Sequence, residues 1–446
     1  VNPSIKSRLV SGGAWAFAGK VGVGLTTLAV NAMLVRLLSP EEVGAYYLIL
    51  SIATVGALLG GLGLNQAVVK IVAESFAVDQ PARARAGISA VLKAGMVGGA
   101  AVGLILVSGG GKWAAHLIFD SPLIAGAVLL IAVWIVVLVF QTLVSETFRG
   151  FHAIGSAVLF GGLLTSLLTL GFFVWLWVRR GNSDLTEILI YAILSAAMNG
   201  VFAGFFLFGR VRKLDRGGRI DRAEIGRTAW PVLVTNLTMF VLTQSDIWIV
   251  GAFCPSVDVA IYGSAVRLAA LIMLLHSVVT SVVTPMIAEM YAQGRRSELQ
   301  RMLQTTSTLA GLPALAIMVV FLISGKFILG AIFGGFYEAG ALILLVLGAG
   351  QVVNVLAGSC GMTLIMTGHQ TEMMLVTLAM ALFSVGGALW LVRDFGALGV
   401  AHASAAAFAI QNILMWLLAG MKSGIWTHAR LTPQGVGQLI SRSRGL

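Results

Sequence analysis

The sequence predicts an all-α polytopic membrane protein: about twelve transmembrane helices in two six-helix lobes related by a pseudo-two-fold axis along the membrane normal. Three observations lead there. The 446 residues are 58% hydrophobic and only 11% charged, with a mean hydropathy of +0.95, whereas a soluble domain carries about 25% charge. Such a chain has too little polar surface to cover itself in water, so its solvent is mostly lipid. Its apolar residues fall into long runs near the ~20 residues that cross the hydrocarbon layer. Finally, the two halves of the chain echo one another at a nearly fixed offset.

The runs cover residues 10–38, 43–69, 86–107, 123–148, 153–178, 186–209, 229–252, 259–288, 304–324, 338–366, 371–392 and 397–421. They are too long and too uniformly apolar for strands of a membrane barrel, which alternate over about ten residues. The 54 glycines fit the same solvent, because glycine is commoner in membrane helices than in soluble ones. A short re-entrant piece around Phe327–Phe333 is an alternative to a plain loop before span 10. Lys6 and Arg8 precede an apolar run to Leu38, too long for a signal-peptide core, so the run reads as span 1. Cys254 and Cys360 lie far apart with no metal-type spacing, and two free thiols are expected.

Counting Lys and Arg loop by loop gives topology. The side holding both termini carries twenty, among them Lys70, Arg83, Arg85, Arg149 and the run RVRKLDRGGRIDRAEIGR at 210–227. The opposite side carries six: Arg36, Lys112, Arg179, Arg180, Lys326 and Arg393. Positive-inside bias therefore places both termini in the cytoplasm and supports an even span count. The net charge of +11 is a topology signal rather than a sign of nucleic-acid binding. The expected organisation is an N-terminal lobe at 1–209, a basic cytoplasmic linker at 210–228, a C-terminal lobe at 229–421 and a basic cytoplasmic tail at 422–446. The linker suits anionic headgroups.

LVRLLSPEEVGAYY at 34–47 and VGAFCPSVDVAIY at 250–262 match at a shift of 215 residues, pairing Val35 with Val250, Pro40 with Pro255, Ala45 with Ala260 and Tyr47 with Tyr262. The same shift pairs Ala14-Trp15 with Ala229-Trp230. FRGFHAIG at 148–155 and MTGHQTEM at 366–373 echo one another at 218. Six spans per half make the halves parallel repeats, one of the architectures that place a substrate site near the midplane and alternate its access. The S-P-E-E element after span 1 makes a tight outer turn, with Pro40 starting the turn and the acids suited to the first turn of span 2.

Charges inside spans are costly and are functional hypotheses by default. Lys20 shares one face of span 1 with Gly24, Thr27 and Asn31 at +4, +7 and +11, as an anion-accepting cavity wall would require. Snorkelling to the interface is the bland alternative. Arg36 faces either the cavity or Glu41 and Glu42. Arg267 sits about eight residues inside span 8 and needs an anionic partner. Asp246 is the one acid well inside a span, and under the repeat it falls on Asn31. It reads as an ion-pair partner, a proton or sodium site, or a hydrogen-bonding group. Lys93 reads as snorkelling, Glu146 and Arg149 as an i, i+3 pair, and Asn65 and Gln66 as cavity-lining or interhelical. There is no P-loop, HExxH, CxxC or paired-carboxylate motif and no sizeable extramembrane segment, so no enzyme, catalytic residue or metal site is expected.

Several stretches resemble a known family. LVRLLSPEEVGAYYLILSI followed by LGLNQAVVKIVA looks like the amino-terminal signature of bacterial oligosaccharide flippases, the polysaccharide-transporter branch of the multidrug/oligosaccharidyl-lipid/polysaccharide exporter superfamily. TQSDIWIVG, VAIYGSAVRLAAL, TPMIAEMYAQGR, LIMTGHQTEMM and FGALGVAHASAAAFAIQNILMW resemble later parts of that pattern, which extends over about residues 8–425. The resemblance implies movement of a polyprenyl-diphosphate-linked oligosaccharide from the cytoplasmic to the outer leaflet of the bacterial inner membrane, for O-antigen, capsule or exopolysaccharide synthesis. It implies basic residues on helices one and eight, matched here by Lys20 and Arg267, and a Q-x-D position matched by Gln244 and Asp246. No cofactor is implied beyond a coupling proton or sodium ion. The implied partners are the lipid-linked sugar, membrane lipids, a polysaccharide polymerase and assembly proteins. A cation-coupled drug exporter of the multidrug and toxin extrusion branch is the alternative, although that branch commonly places an acid on helix one, where this chain has Lys20. A scramblase or scaffold without coupled transport is a third reading.

Overall fold

The computed structural model describes residues 3–215, 217–218 and 220–430. Arg216, Arg219, Arg442 and Arg444, and the side chains of Lys6, Arg8 and Arg222, lie outside the described residues. Among the described residues there is no strand. Sixteen α-helices follow one another: α1 Pro3–Leu37, α2 Pro40–Gly61, α3 Leu64–Ala77, α4 Pro81–Ile105, α5 Gly111–Ile118, α6 Pro122–Gly126, α7 Val128–Gly150, α8 Ile154–Val158, α9 Leu164–Arg180, α10 Leu185–Val211, α11 Arg222–Phe253, α12 Ser256–Ala292, α13 Arg296–Phe333, α14 Ala341–Ala357, α15 Cys360–Met366 and α16 Gln370–Leu418.

Eleven helical stretches of the described residues are long and apolar enough to cross a membrane. The last, Gln370–Ser423, holds 54 residues. At 1.5 Å per residue it would run ~80 Å, far beyond a hydrocarbon core of ~30 Å. It is broken at Gly396, whose φ of 55° and ψ of −142° are non-helical. Its two parts correspond to the expected spans 11 and 12, so the helices supply twelve crossing segments. Large apolar side chains stand open, among them Ile323 at 78% and Trp390 at 73% exposure. In water such surface would drive aggregation; in lipid it costs nothing. This is a multi-pass membrane protein.

Several expected boundaries shift. The run 43–69 is not one span. Helix α2 ends at Gly61, the chain turns through Leu62 (φ 51°) and Gly63 (φ 72°), and α3 starts afresh. Gly63 is obligatory twice over, for its left-handed backbone and because a Cβ would strike the Ala229 carbonyl and the Leu233 N–H. Phe327–Phe333 is the unbroken end of α13, not a re-entrant piece. The run 338–366 divides at Gly358 into α14 and α15. The S-P-E-E turn folds as a capping box: Ser39 Oγ accepts from the Glu42 N–H, while Glu42 Oε2 accepts from the Ser39 N–H at 3.0 Å. The other carboxylate oxygen of Glu42 accepts from the Leu185 N–H at 3.2 Å, tying the start of α2 to the start of α10.

The chain forms two compact units, Val1–Gln244 with Pro255–Ala260 and Ser245–Cys254 with Ile261–Leu446. In the first, α7 is central and packs on α2, α3, α4 and α10. Its Ile135, Val144 and Phe148 are buried. Helices α2 and α4 cross backbone to backbone: a Cβ on Gly60 would lie 2.7 Å from Gly99 Cα. In the second, α14 packs on α13 and α16. Residues 425–430 fold back across the end of α14. The Ala429 N–H donates to the Leu356 carbonyl at 2.8 Å and Thr427 Oγ1 to the Ala357 carbonyl at 2.6 Å. Those carbonyls are the orphan acceptors at a helix C-terminus, here satisfied without water.

Candidate functional site

In the first unit Lys20 lies on α1 and is exposed. The Arg149 guanidinium, at the far end of α7, is near enough to act on it electrostatically. Arg149 pairs with Glu146 at 3.1 Å, as the i, i+3 spacing predicts. Two cations thus lie near one another in this part of the unit, and one of them, Arg149, is paired with Glu146. Helix α1 reaches this position through small residues: a Cβ on Gly19 would collide with Val158 of α8, and one on Gly22 would crowd Leu163. Asn31, 5% exposed, turns its amide back and donates to the Thr27 carbonyl at 2.7 Å. Arg36 is exposed, and among the described residues it makes no ion pair, because Glu42 is engaged in the cap. Asn65 and Gln66 both stand on α3, and Asn65 lines a cavity of about 170 Å³ with Thr54, Thr142 and Asn236. Gln66 is exposed.

A polar cluster in this unit was not anticipated. Gln141 of α7 and Asn199 of α10 both donate to Thr165 Oγ1 at 2.9 Å and to the Phe160 carbonyl at 3.4 and 2.8 Å. That carbonyl is free because the helix is interrupted at 159–163 by a π turn in which Gly162 has φ 156°. A break inside a span exposes backbone acceptors that lipid cannot satisfy, and buried amides replace the missing helical bonds. The sequence signal was the pair Gly161-Gly162 inside an apolar run.

In the second unit Asp246 accepts a hydrogen bond from the Tyr262 hydroxyl at 2.8 Å. Tyr262 is fully buried and also engages Ser404. A chain of polar groups therefore links α11, α12 and the last segment of α16. Of the three readings for Asp246, hydrogen bonding to a tyrosine is the one with a visible partner. Arg267, on α12, donates from Nη1 to the Gly263 carbonyl at 2.9 Å. Gln244, the last residue of the first unit's long stretch, is half-buried. Tyr262 was missed as a site residue although it is one of the positions the repeat shares; Ser404 carried no signal. Buried His276 meets Thr280, which in turn meets Ser359 at 3.1 Å. Both cysteines are free thiols. Among the described residues no cluster of His, Cys, Asp or Glu could hold a metal ion.

These features, broken membrane helices in two units with sparse charged side chains on the crossing helices of each, are those of a membrane transporter fold. Residues 9–291 match the polysaccharide biosynthesis protein family, and the chain belongs to it. Residues 231–390 match the MatE family. A probable low-salt glycan biosynthesis flippase of Haloferax volcanii is 22% identical over 185 residues. That match takes in 41% of this chain and 39% of the relative's length, so the chain spans well under half of the curated relative it matches. Among solved structures, an inward-facing multidrug resistance transporter of the MATE family, in the MOP superfamily, superposes with TM-score 0.73 at 15% identity over 92% of this chain and 98% of that one. The lipid II flippase MurJ in an inward closed conformation gives 0.72 at 12% identity over 92% and 87%. A MOP superfamily transporter from Pyrococcus furiosus gives 0.66 at 16% identity over 94% and 96%. These likenesses show that the chain shares its fold with those transporters.

Proposed function

We propose that this protein is a flippase that carries a polyprenyl-diphosphate-linked oligosaccharide from the cytoplasmic to the outer leaflet of the bacterial inner membrane, serving cell-surface polysaccharide synthesis. The observation that carries the reading is the charge on α1: Lys20 and Arg36 lie on the described part of a helix that has no acid anywhere along it. A diphosphate headgroup needs cations in a medium where Coulomb attraction is weakly screened. Family membership and the flippase named among the relatives support the same class of cargo. Lys20 and Arg267 are the headgroup cations in this reading, with Asn31, Arg36, Asn65 and Gln66 as further lining candidates. Asp246, beside Gln244 in sequence and bonded to Tyr262, is the site where a proton or sodium ion couples to transport. Both termini face the cytoplasm, and a polymerase and assembly proteins take the product.

The second reading, a cation-coupled drug exporter, is favoured by the match over residues 231–390 and by the MATE-family structural likeness. Proteoliposomes separate the two. Transbilayer movement of a polyprenyl-diphosphate oligosaccharide, accelerated by an imposed proton or sodium gradient, is expected. Efflux of an organic cation with no movement of the lipid-linked sugar would replace the flippase by the exporter. Movement indifferent to any gradient would remove Asp246 as a coupling site.

A further inference from the structure

An apolar groove in the first unit contains a lysine that has no ion-pair partner among the described residues. It has a volume of about 550 Å³. One wall is a stripe of α4 formed by Ala90, Lys93, Ala94 and Val97, and the other is the first turns of α11 with Ala229, Trp230 and Leu233. Leu62 and Leu64, at the α2–α3 turn, close one end. The α2–α3 turn is packed on the α11 wall, with Gly63 so close to the α11 backbone that no Cβ fits there. Val97 and Trp230 are 70% and 67% exposed, so the groove is open along its length.

Lys93 decides what the groove is for. It stands twelve residues into α4 but only seven residues inside the apolar run 86–107, about 10 Å along a helix rising 1.5 Å per residue, near the inner end of that span. Among the described residues it has no ion-pair partner. An exposed cation near the inner end of a crossing segment, beside open apolar walls, suits an anionic amphiphile whose chain lies along the walls and whose phosphate meets the ammonium. Anionic phospholipids supply the negative surface of the cytoplasmic leaflet, which makes a phospholipid the anionic amphiphile in largest supply at this site. Trp230, with an apolar body and one N–H donor, suits the boundary between chain and headgroup.

We infer that this groove is a binding site for an anionic phospholipid, with one acyl chain between α4 and α11 and its phosphate on Lys93. The site is separate from the cargo site proposed above and does not depend on the identity of that cargo.

The test uses the purified full-length chain in detergent micelles, titrated with phosphatidylglycerol or phosphatidylcholine carrying brominated acyl chains. Bromine quenches nearby indoles, and the difference between the wild type and Trp230→Phe isolates Trp230 from the other nine tryptophans. Saturable quenching of Trp230 by phosphatidylglycerol is expected, with about fivefold weaker binding of phosphatidylcholine, as a single juxtaposed charge gives. Lys93→Gln should erase that preference and Lys93→Arg should keep it. Ala94→Phe, which fills the groove and leaves the charge, should remove saturable quenching by both lipids. Equal quenching by the two lipids in the wild type, or an undiminished preference in Lys93→Gln, would overturn the assignment. So would displacement of brominated phosphatidylglycerol by a polyprenyl phosphate at lower mole fraction than by unbrominated phosphatidylglycerol, which would make the occupant an isoprenoid.

Discussion

Replacing Tyr262 with Phe deletes one hydroxyl and leaves the ring. The ring is fully buried, so the loss is not softened by water. The hydroxyl donates to Asp246 Oδ2 at 2.8 Å and engages Ser404 on its other side. A hydrogen bond to a charged acceptor contributes about 1.5–3 kcal/mol, against about 0.5–1.5 kcal/mol between neutral groups. The single variant also leaves Ser404 short of a partner, so its cost alone overstates the pair. A double-mutant cycle of Tyr262→Phe with Asp246→Ala removes that excess. We expect an interaction energy of about 1.5–3 kcal/mol if the carboxylate is ionised, and about 1 kcal/mol if it carries a proton. The assay is equilibrium unfolding in mixed micelles, followed by circular dichroism as the denaturing detergent is raised. A coupling below ~0.5 kcal/mol, the scatter of independent sites, would refute the linkage and with it the case for Asp246 as a tuned ion site.

Three further outcomes are expected. Arg267→Glu should abolish lipid-linked sugar movement in proteoliposomes while membrane insertion stays normal; full activity would remove Arg267 from the cargo site. Gly60→Val should force α2 off α4 at the Gly99 backbone, costing about 1–3 kcal/mol or more and lowering the melting temperature in detergent, whereas Gly61→Ala, at a position with open space around it, should not. His428, in the segment folded across α14, accepts from Trp416 Nε1 at 3.1 Å, and burial, then Arg430, holds its imidazolium below the usual histidine range. The neutral ring is therefore the folded form. Its contribution is complete above the unfolded value of about 6.5 and is lost as pH falls from there through the lowered folded value. His428→Gln should flatten the acid side of the melting-temperature profile between about pH 7.5 and 5, and an unchanged slope would show that His428 does not report on this fold.

The fold was readable because the solvent is lipid. Hydrophobic length alone finds crossing segments, and the break between spans 11 and 12 was expected within a residue or two of Gly396 even though the helix resumes immediately beyond it. What hydropathy missed were breaks that keep an apolar sequence. Nothing in the hydropathy of LGGLGLNQAVV marks the end of α2 at Gly61; the cause is a close backbone approach from α11, a tertiary fact. The consequence reached the site reading, since Asn65 and Gln66 were assigned to a span and belong to a separate short helix. The π turn at 159–163 escaped for the same reason, and with it the Gln141–Thr165–Asn199 cluster that it requires.

The repeat explains which parts of the site were legible. Tyr47 and Tyr262 fall on one another and both are buried, as a shared scaffold position should be. Asn31 and Asp246 also fall on one another, and there the halves part company. Asn31 satisfies itself on its own helix through Thr27, and α1 carries no acid. Asp246 has an oxygen held by the tyrosine of the repeat, and that tyrosine reaches on to Ser404. A duplicated chain needs the same buried tyrosine twice to pack the same turn, but it needs an ionisable group only where an ion is to act. Matches between the halves therefore mark what the fold demands, and mismatches at matched depth mark where chemistry has been added. On that argument Asp246 is the position to mutate for coupling. Asn31→Asp, which would place a carboxylate in the first unit beside the cations of α1, is then expected to cost diphosphate transport rather than add a second ion site.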